Sequence, residues 1–177
     1  MSHCPYQDVE CLMAQAKSKD RKPKKRGQLP IKLRVGGKTD VRTQFAALCY
    51  QYEDKKLKIC MVTSRRSGRW ILPKGWPMHK QTPAEAAAQE AWEEAGVIGK
   101  SIDRCLGVYS YVKPLSQNPA PVVVMIFPVR VEEVHNEWPE QKERKRKWFS
   151  PKKAAKKLQE PELRRIVSTF DPAILSR

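Results

Sequence analysis

Leu72-Pro73-Lys74-Gly75-Trp76-Pro77-Met78-His79-Lys80-Gln81-Thr82-Pro83-Ala84-Glu85-Ala86-Ala87-Ala88-Gln89-Glu90-Ala91-Trp92-Glu93-Glu94-Ala95-Gly96-Val97 is the most informative run of the chain. Its second half specifies a well-delimited helix. Thr82 is suited to the N-cap, Pro83 to the first helical position, and Glu85, three residues after Thr82, completes a capping box. Gly96 supplies a left-handed stop. Ala84, Ala88, Ala91 and Ala95 form a face of small residues that lets the helix pack close to a sheet. Glu90, Glu93 and Glu94 fall at i, i+3 and i+4 and share a separate face. No Lys or Arg within the helix offsets these charges. A divalent cation would relieve the repulsion, and carboxylate ligation favours a hard ion, Mg²⁺ or Mn²⁺. The plain competing reading is a solvated acidic face. The missing counter-ions and the Gly-Trp-Pro loop in front of the helix favour the metal.

The flanking sequence reads as strands before and after this helix. Phe45 to Tyr52 and Leu57 to Thr63 predict a hairpin around the polar turn Glu53-Asp54-Lys55-Lys56. Arg65-Arg66-Ser67-Gly68-Arg69 is a basic turn, and Trp70-Ile71-Leu72 is a short strand stopped by Pro73. Leu106 to Val112 and Val122 to Val129 predict two further strands joined by a Pro-rich loop, and Lys147 to Phe149 a last short one. Ser150 and Pro151 should open a helix running to Leu158, Ser150 as its cap, followed by a final helix from Pro161 to Phe170. The order is that of an α+β fold.

The span Gly75–Val97 resembles the Nudix box, G-x5-E-x7-R-E-U-x-E-E-x-G-U, where U is a bulky aliphatic residue. Gly75, Glu90, Glu93, Glu94, Gly96 and Val97 match at the right spacing. The flanking runs Gly68 to Pro73 and Arg144-Lys145-Arg146-Lys147-Trp148-Phe149 look like the diphosphoinositol polyphosphate phosphohydrolase branch. The box departs from the pattern at three positions: Gln81 stands for Glu, Gln89 for Arg, and Ala91 for a bulky aliphatic. In the family the first two typically form a salt bridge between loop and helix. Two Gln side chains can hydrogen-bond instead, so a replaced brace is expected.

The resemblance implies an α/β/α sandwich with a mixed β-sheet, the box helix packed on it and helices at the C-terminal end. It implies metal-dependent hydrolysis of a pyrophosphate bond in a highly anionic substrate, an inositol pyrophosphate, a dinucleoside polyphosphate or another nucleoside diphosphate derivative, with Glu90, Glu93 and Glu94 as ligands and the Gly75 carbonyl as a further donor. The box does not fix the general base; Glu93, Glu94, Glu137 and Glu140 are the candidates. Arg65, Arg66, Arg69, Lys74, Arg144 and Arg146 are the candidate cations for substrate phosphates. Trp76 could stack on a base or simply pack, and His79 beside Lys80 is an exposed loop histidine by default.

The formal charge of the 177-residue chain is +16, and it is unevenly placed. Residues 1–42 hold 11 basic and 4 acidic side chains, and residues 142–165 hold 11 basic and 3 acidic. The stretch between them is nearly neutral. Residues 1–40 read as a flexible basic arm and 41–177 as the hydrolase domain. The arm allows contact with RNA, although its Lys17 to Arg26 run contains no aromatic residue to stack on bases. Two other readings follow: a pyrophosphohydrolase acting on RNA 5′ ends, and a non-catalytic phosphate- or nucleic-acid-binding module. The intact glutamate triad argues against pure binding. No apolar run approaches the ~20 residues of a membrane-spanning helix, and no secretory pattern opens the chain, so neither a membrane partner nor export is expected. The five cysteines include no C-x-x-C pair, and His3, His79 and His135 are scattered, so a zinc site is not expected. A reducing cytosol is the expected compartment.

Overall fold

The computed structural model of the protein describes residues 43–113 and 120–176. The elements are β1 (Thr43–Glu53), β2 (Lys56–Thr63), β3 (Trp70–Ile71), β4 (Lys74–Gly75), α1 (Pro83–Ala95), β5 (Val97–Ser101), β6 (Gly107–Lys113), β7 (Ala120–Val134), β8 (Arg146–Phe149), α2 (Pro151–Lys157) and α3 (Pro161–Ser168), followed by a 3₁₀ turn at Pro172–Ser176. The eight strands form one sheet with a backbone order β3-β2-β1-β7-β5; β4 pairs β1, β6 pairs β7 and β8 pairs β2. The β1–β7 pair is parallel, with Thr43 opposite Val123 and Tyr50 opposite Arg130. The remaining pairs are antiparallel.

The apolar runs of β1, β2 and β7 arise because both faces of the sheet are covered. Ala46, Leu48 and Tyr50 of β1 join Ile59, Met61, Val124 and Ile126 on one face, where Ala154, Leu158, Leu163 and Val167 of the C-terminal helical region close the core. The alternate residues Phe45, Ala47 and Cys49 join Cys60, Val62, Phe127 and Val129 on the other face, beneath α1. The helix meets that face through Ala84, Ala87, Ala91 and Ala95, all buried, with Ala88 at the edge. Ala91, which stands where the box has a bulky residue, has no exposure at all. The result is an α/β/α sandwich, as expected. Burial pushes the Cys49 thiol up and the Cys60 thiol up to about 12, so both act as small hydrophobes.

Several expectations need correction. β4 and β5 are extra strands: Lys74–Gly75 has no apolar alternation, and β5 is bulged at Ile98/Gly99. β7 runs past Val129 to Val134, because its far half pairs with β5. The C-terminal helices end sooner, at Lys157 and Ser168. Ser150 occupies the N-cap of α2 but its side chain makes no capping hydrogen bond. The basic arm and most of the Pro-rich loop lie outside the described residues. Among the described residues no helix is long and apolar enough to cross a membrane.

The capping box of α1 is complete. The Glu85 N–H donates to Thr82 Oγ1 at 3.2 Å, and the Thr82 N–H donates to Glu85 Oε2 at 2.8 Å. Gly96 adopts φ 61°, and its N–H reaches the Trp92 carbonyl at 2.9 Å. Thr82→Ala is therefore expected to cost about 1 kcal/mol, whereas Ser150→Ala should stay within about 0.5 kcal/mol of the parent. Urea midpoints at constant slope check both; equal losses would show that Thr82 contributes nothing special as a cap.

Candidate active site

The site is built where β4 meets α1. Gly75 pairs with Phe45 of β1, and this fixes its backbone directly beneath the helix. The Glu90 carboxyl fills the space that a side chain at this position would occupy. A Cβ on Gly75 would lie 1.8 Å from Glu90 Oε1 and 2.1 Å from its carboxyl carbon. The glycine is thus required by close approach. Burial, then the charges of Glu94, Glu93 and Glu140, push the Glu90 carboxyl up to about 8; Lys74 opposes them weakly.

Glu94 is buried one turn further along the helix. Its Oε2 accepts the Lys74 backbone N–H at 3.1 Å, and its Oε1 accepts from Arg144 Nη2. Arg144 is itself buried, at 8% exposure. The same guanidinium donates through Nε to Glu140 Oε2 at 2.5 Å and through Nη1 to the Thr63 carbonyl at 3.0 Å. Arg65 then reaches Glu140 at 3.3 Å and Glu143 at 3.4 Å. Burial raises the Glu94 pKa, while Arg144 and Lys74 draw it back. The counter-ion missing from the helix therefore arrives from a loop fifty residues away in sequence.

The six expected phosphate cations do not gather in one place. Arg65 is exposed beside Glu140, and Lys74 adjoins Glu90 and Glu94. Arg66 is exposed in the same turn as Arg65. Three of them meet protein partners in this structure. Arg144 is consumed by the contacts just described. Arg146 caps the end of α1, donating to the carbonyls of Ala95 at 2.6 Å and His135 at 2.8 Å, with Trp138 stacked beneath it. Arg69 is turned to the opposite layer, where it meets Gln159 at 2.6 Å and Glu160 at 3.1 Å. Trp76, His79 and Glu137 are exposed.

The expected Gln81–Gln89 brace is also absent. Gln89 Nε2 donates to Glu93 Oε1 at 2.7 Å, four residues along the same helix. Gln81 Oε1 is buried and accepts no hydrogen bond. The inward placements of Arg144 and Arg146 are what composition hid; their sign is alternation, since Lys145 and Lys147 between and beyond them are exposed.

The donor set suits a hard divalent cation. It offers carboxylate oxygens, an excess of negative charge around Glu90, and a cradle at Gly75 too small for any side chain. In the present arrangement, no group of three or more His, Cys, Asp or Glu side chains among the described residues converges closely enough to hold a metal. Glu93 is drawn to Gln89, and Glu94 to Lys74 and Arg144.

The strand-forked sheet, the glycine beneath Glu90 and the three-glutamate helix define a Nudix fold, and the chain belongs to that family: the NUDIX domain model matches residues 42–170. The chain is 30% identical over 132 residues to diphosphoinositol polyphosphate phosphohydrolase 2 of Rattus norvegicus, covering 73% of this chain and 70% of that protein. It is 35% identical over 117 residues to diphosphoinositol polyphosphate phosphohydrolase 3-alpha of Homo sapiens, covering 64% and 67%. In fold it resembles the crystal structure of C. elegans Ap4A hydrolase, with a TM-score of 0.53 at 18% identity, covering 76% of this chain and 98% of that one. Nudix hydrolases generally use divalent metals.

The Glu90 shift sets a pH dependence with a defined sign. Its carboxyl binds a proton more tightly folded, near 8, than unfolded, near 4.5. The stability it contributes is full below pH 4.5 and is lost as pH rises through 8. Metal-free protein should lose stability across this window, at no more than ~1.4 kcal/mol per pH unit from this group. Glu90→Gln should flatten the slope. Urea melts of both proteins across the window check this; parallel curves would remove Glu90 as the cause.

Proposed function

We propose that this chain hydrolyses a pyrophosphate bond in a highly anionic small molecule, an inositol pyrophosphate or a dinucleoside polyphosphate, with Mg²⁺ or Mn²⁺. The observation that carries this reading is the Glu90 carboxyl, seated on the Gly75 backbone and crowded by Glu93, Glu94 and Glu140. Such crowding is costly for a merely structural site and useful for one that recruits a cation. The names of the diphosphoinositol polyphosphate phosphohydrolase relatives supply the substrate class.

Glu90, Glu93 and Glu94, with the Gly75 carbonyl, would hold the cation, Glu93 by releasing its bond from Gln89. When bound, the cation neutralises the diphosphate and makes water more acidic. The residues of the chain then act as follows. Arg144 positions Glu94 and is not itself a phosphate ligand. Arg65, Arg66 and Lys74 offer cationic groups on the substrate side, where phosphate can replace Glu140 and Glu143 as the partner of Arg65. Glu93 takes the proton from the attacking water, since Glu94 and Glu140 are held by Arg144. The water oxygen bonds to phosphorus, the anhydride P–O bond breaks, and the leaving phosphate departs with its electron pair.

The basic arm, residues 1–40, is assigned to encounter with polyanions and not to chemistry. Deleting residues 1–38 should leave kcat/KM for a small pyrophosphate substrate essentially unchanged at about 0.15 M salt, where the field of the arm reaches only ~8 Å. Abolished turnover in a folded truncation would put the arm inside the active site.

Glu93→Gln should lower kcat by about 100-fold or more, equivalent to about 2.7 kcal/mol of barrier, with the urea midpoint preserved. The assay is phosphate release from inositol pyrophosphates, dinucleoside polyphosphates and triphosphorylated RNA, each with Mg²⁺ and Mn²⁺. Near-normal turnover by the variant, or no turnover of any substrate by the parent, would refute the proposal.

A further inference from the structure

The C-terminal basic run is only partly used by the site beneath α1. Arg144 and Arg146 turn inward, but the lysines that follow turn outward and meet lysines from β2. Lys56, Lys58, Lys147, Lys152 and Lys153 surround an open depression of about 830 Å³. Leu57, Phe149 and Phe170 form part of its apolar lining. Phe149 and Phe170 belong to the core on the α2 and α3 face, on the side of the sheet away from α1. Along β8, Arg146 lies opposite Val62 at the α1 end, and Phe149 lies opposite Ile59 at the depression.

The charge balance here differs from that of the arginines. Lys58 is neutralised by Glu53 at 3.0 Å. Among the described residues, Lys56, Lys147, Lys152 and Lys153 form no ion pair. Four uncompensated cations around one concavity focus a positive field on a small volume. That volume falls within the ~300–1,000 Å³ usual for small ligands. Flexible lysines act as point charges and can follow phosphates arranged in several directions. Phe149 and Phe170 in its lining are both buried, at 7% exposure, so neither ring offers a nucleobase an open face. Lys147 Nζ lies 5.9 Å and Lys157 Nζ 5.2 Å from the Phe149 centroid. These two rings are thus not available for the stacking that single-stranded nucleic acid uses.

We propose that this depression binds a compact small molecule bearing several clustered phosphates, at a site separate from the α1 carboxylates. The site would take the phosphorylated substrate or product class as a second, non-reacting copy. In this respect the inference rests on the function proposed above, but its test does not.

The probe is phytate, which carries clustered phosphate monoesters and no anhydride to hydrolyse. Calorimetry on the full chain without metal, at about 0.15 M salt, reads binding with no turnover. The expected result is one phytate per chain, and an affinity reduced by about tenfold or more in the Lys56→Glu/Lys152→Glu/Lys153→Glu variant, a loss of at least ~1.4 kcal/mol. The matching Lys→Arg triple variant should bind like the parent. These lysines are exposed, and a urea midpoint like that of the parent confirms that the Glu variant is folded. Unchanged phytate affinity in the Glu variant would overturn the proposal. So would single-stranded RNA displacing phytate with an affinity that grows with strand length, which would mark the face as a nucleic-acid surface. Because phytate binding is read without catalysis, its failure leaves the hydrolase reading standing, and absent turnover leaves this site standing.

Discussion

The Arg144 guanidinium is the contact on which the arrangement of the site depends. It joins a helix, a loop and the end of a strand through Glu94, Glu140 and the Thr63 carbonyl. A buried pair of this kind contributes little net stability when complete, because desolvation offsets the attraction. Its value is positional. With Arg144 in place, Glu94 stays close to Glu90 without the helix needing a cation of its own. Take the guanidinium away and Glu94 keeps only Lys74, and Glu140 only the exposed Arg65, as neighbouring cations in a site already crowded with negative charge, a loss of about 3–5 kcal/mol for a broken buried pair. Replacement by Lys would supply the charge but not the three directed bonds.

The parts of this fold legible in the sequence are those written in local chemistry. α1 is announced at both ends, by Thr82-Pro83 and by Gly96, and the structure uses each residue as its chemistry suggests. β1, β2 and β7 are legible because two-sided burial demands continuous apolar runs. β4 is not, because a two-residue pairing is a matter of register with Phe45 and Ala46, which composition does not encode. The Gln81–Gln89 pair failed for a similar reason: a helix offers Gln89 a partner at i+4, and Glu93 is nearer at hand than the loop.

The basic C-terminal run shows how charge alone misleads. Read as a count, Arg144-Lys145-Arg146-Lys147 is one anionic-ligand patch. Folded, its arginines hold protein carbonyls and carboxylates, while its lysines face solvent. The division follows the chemistry of the two cations. A planar guanidinium can satisfy several buried acceptors at once, and an ammonium on a long stem is better left hydrated.

The fork in the sheet has an evolutionary consequence. β1 pairs with β2 only from Tyr50 to Glu53, and β4 takes over its edge at Phe45 and Ala46. The Pro73 carbonyl is also tied to the Ala47 N–H at 2.9 Å. The segment from Trp76 to Gln81 thus hangs between two independent anchors, a strand at Gly75 and a capping box at Thr82. The box spacing holds the length of this segment, but Trp76, His79 and Lys80 within it are exposed. Substitutions at these exposed positions can accumulate without displacing Gly75 or Glu90. Recognition at the mouth of the site can diversify while the carboxylate chemistry beneath it stays fixed.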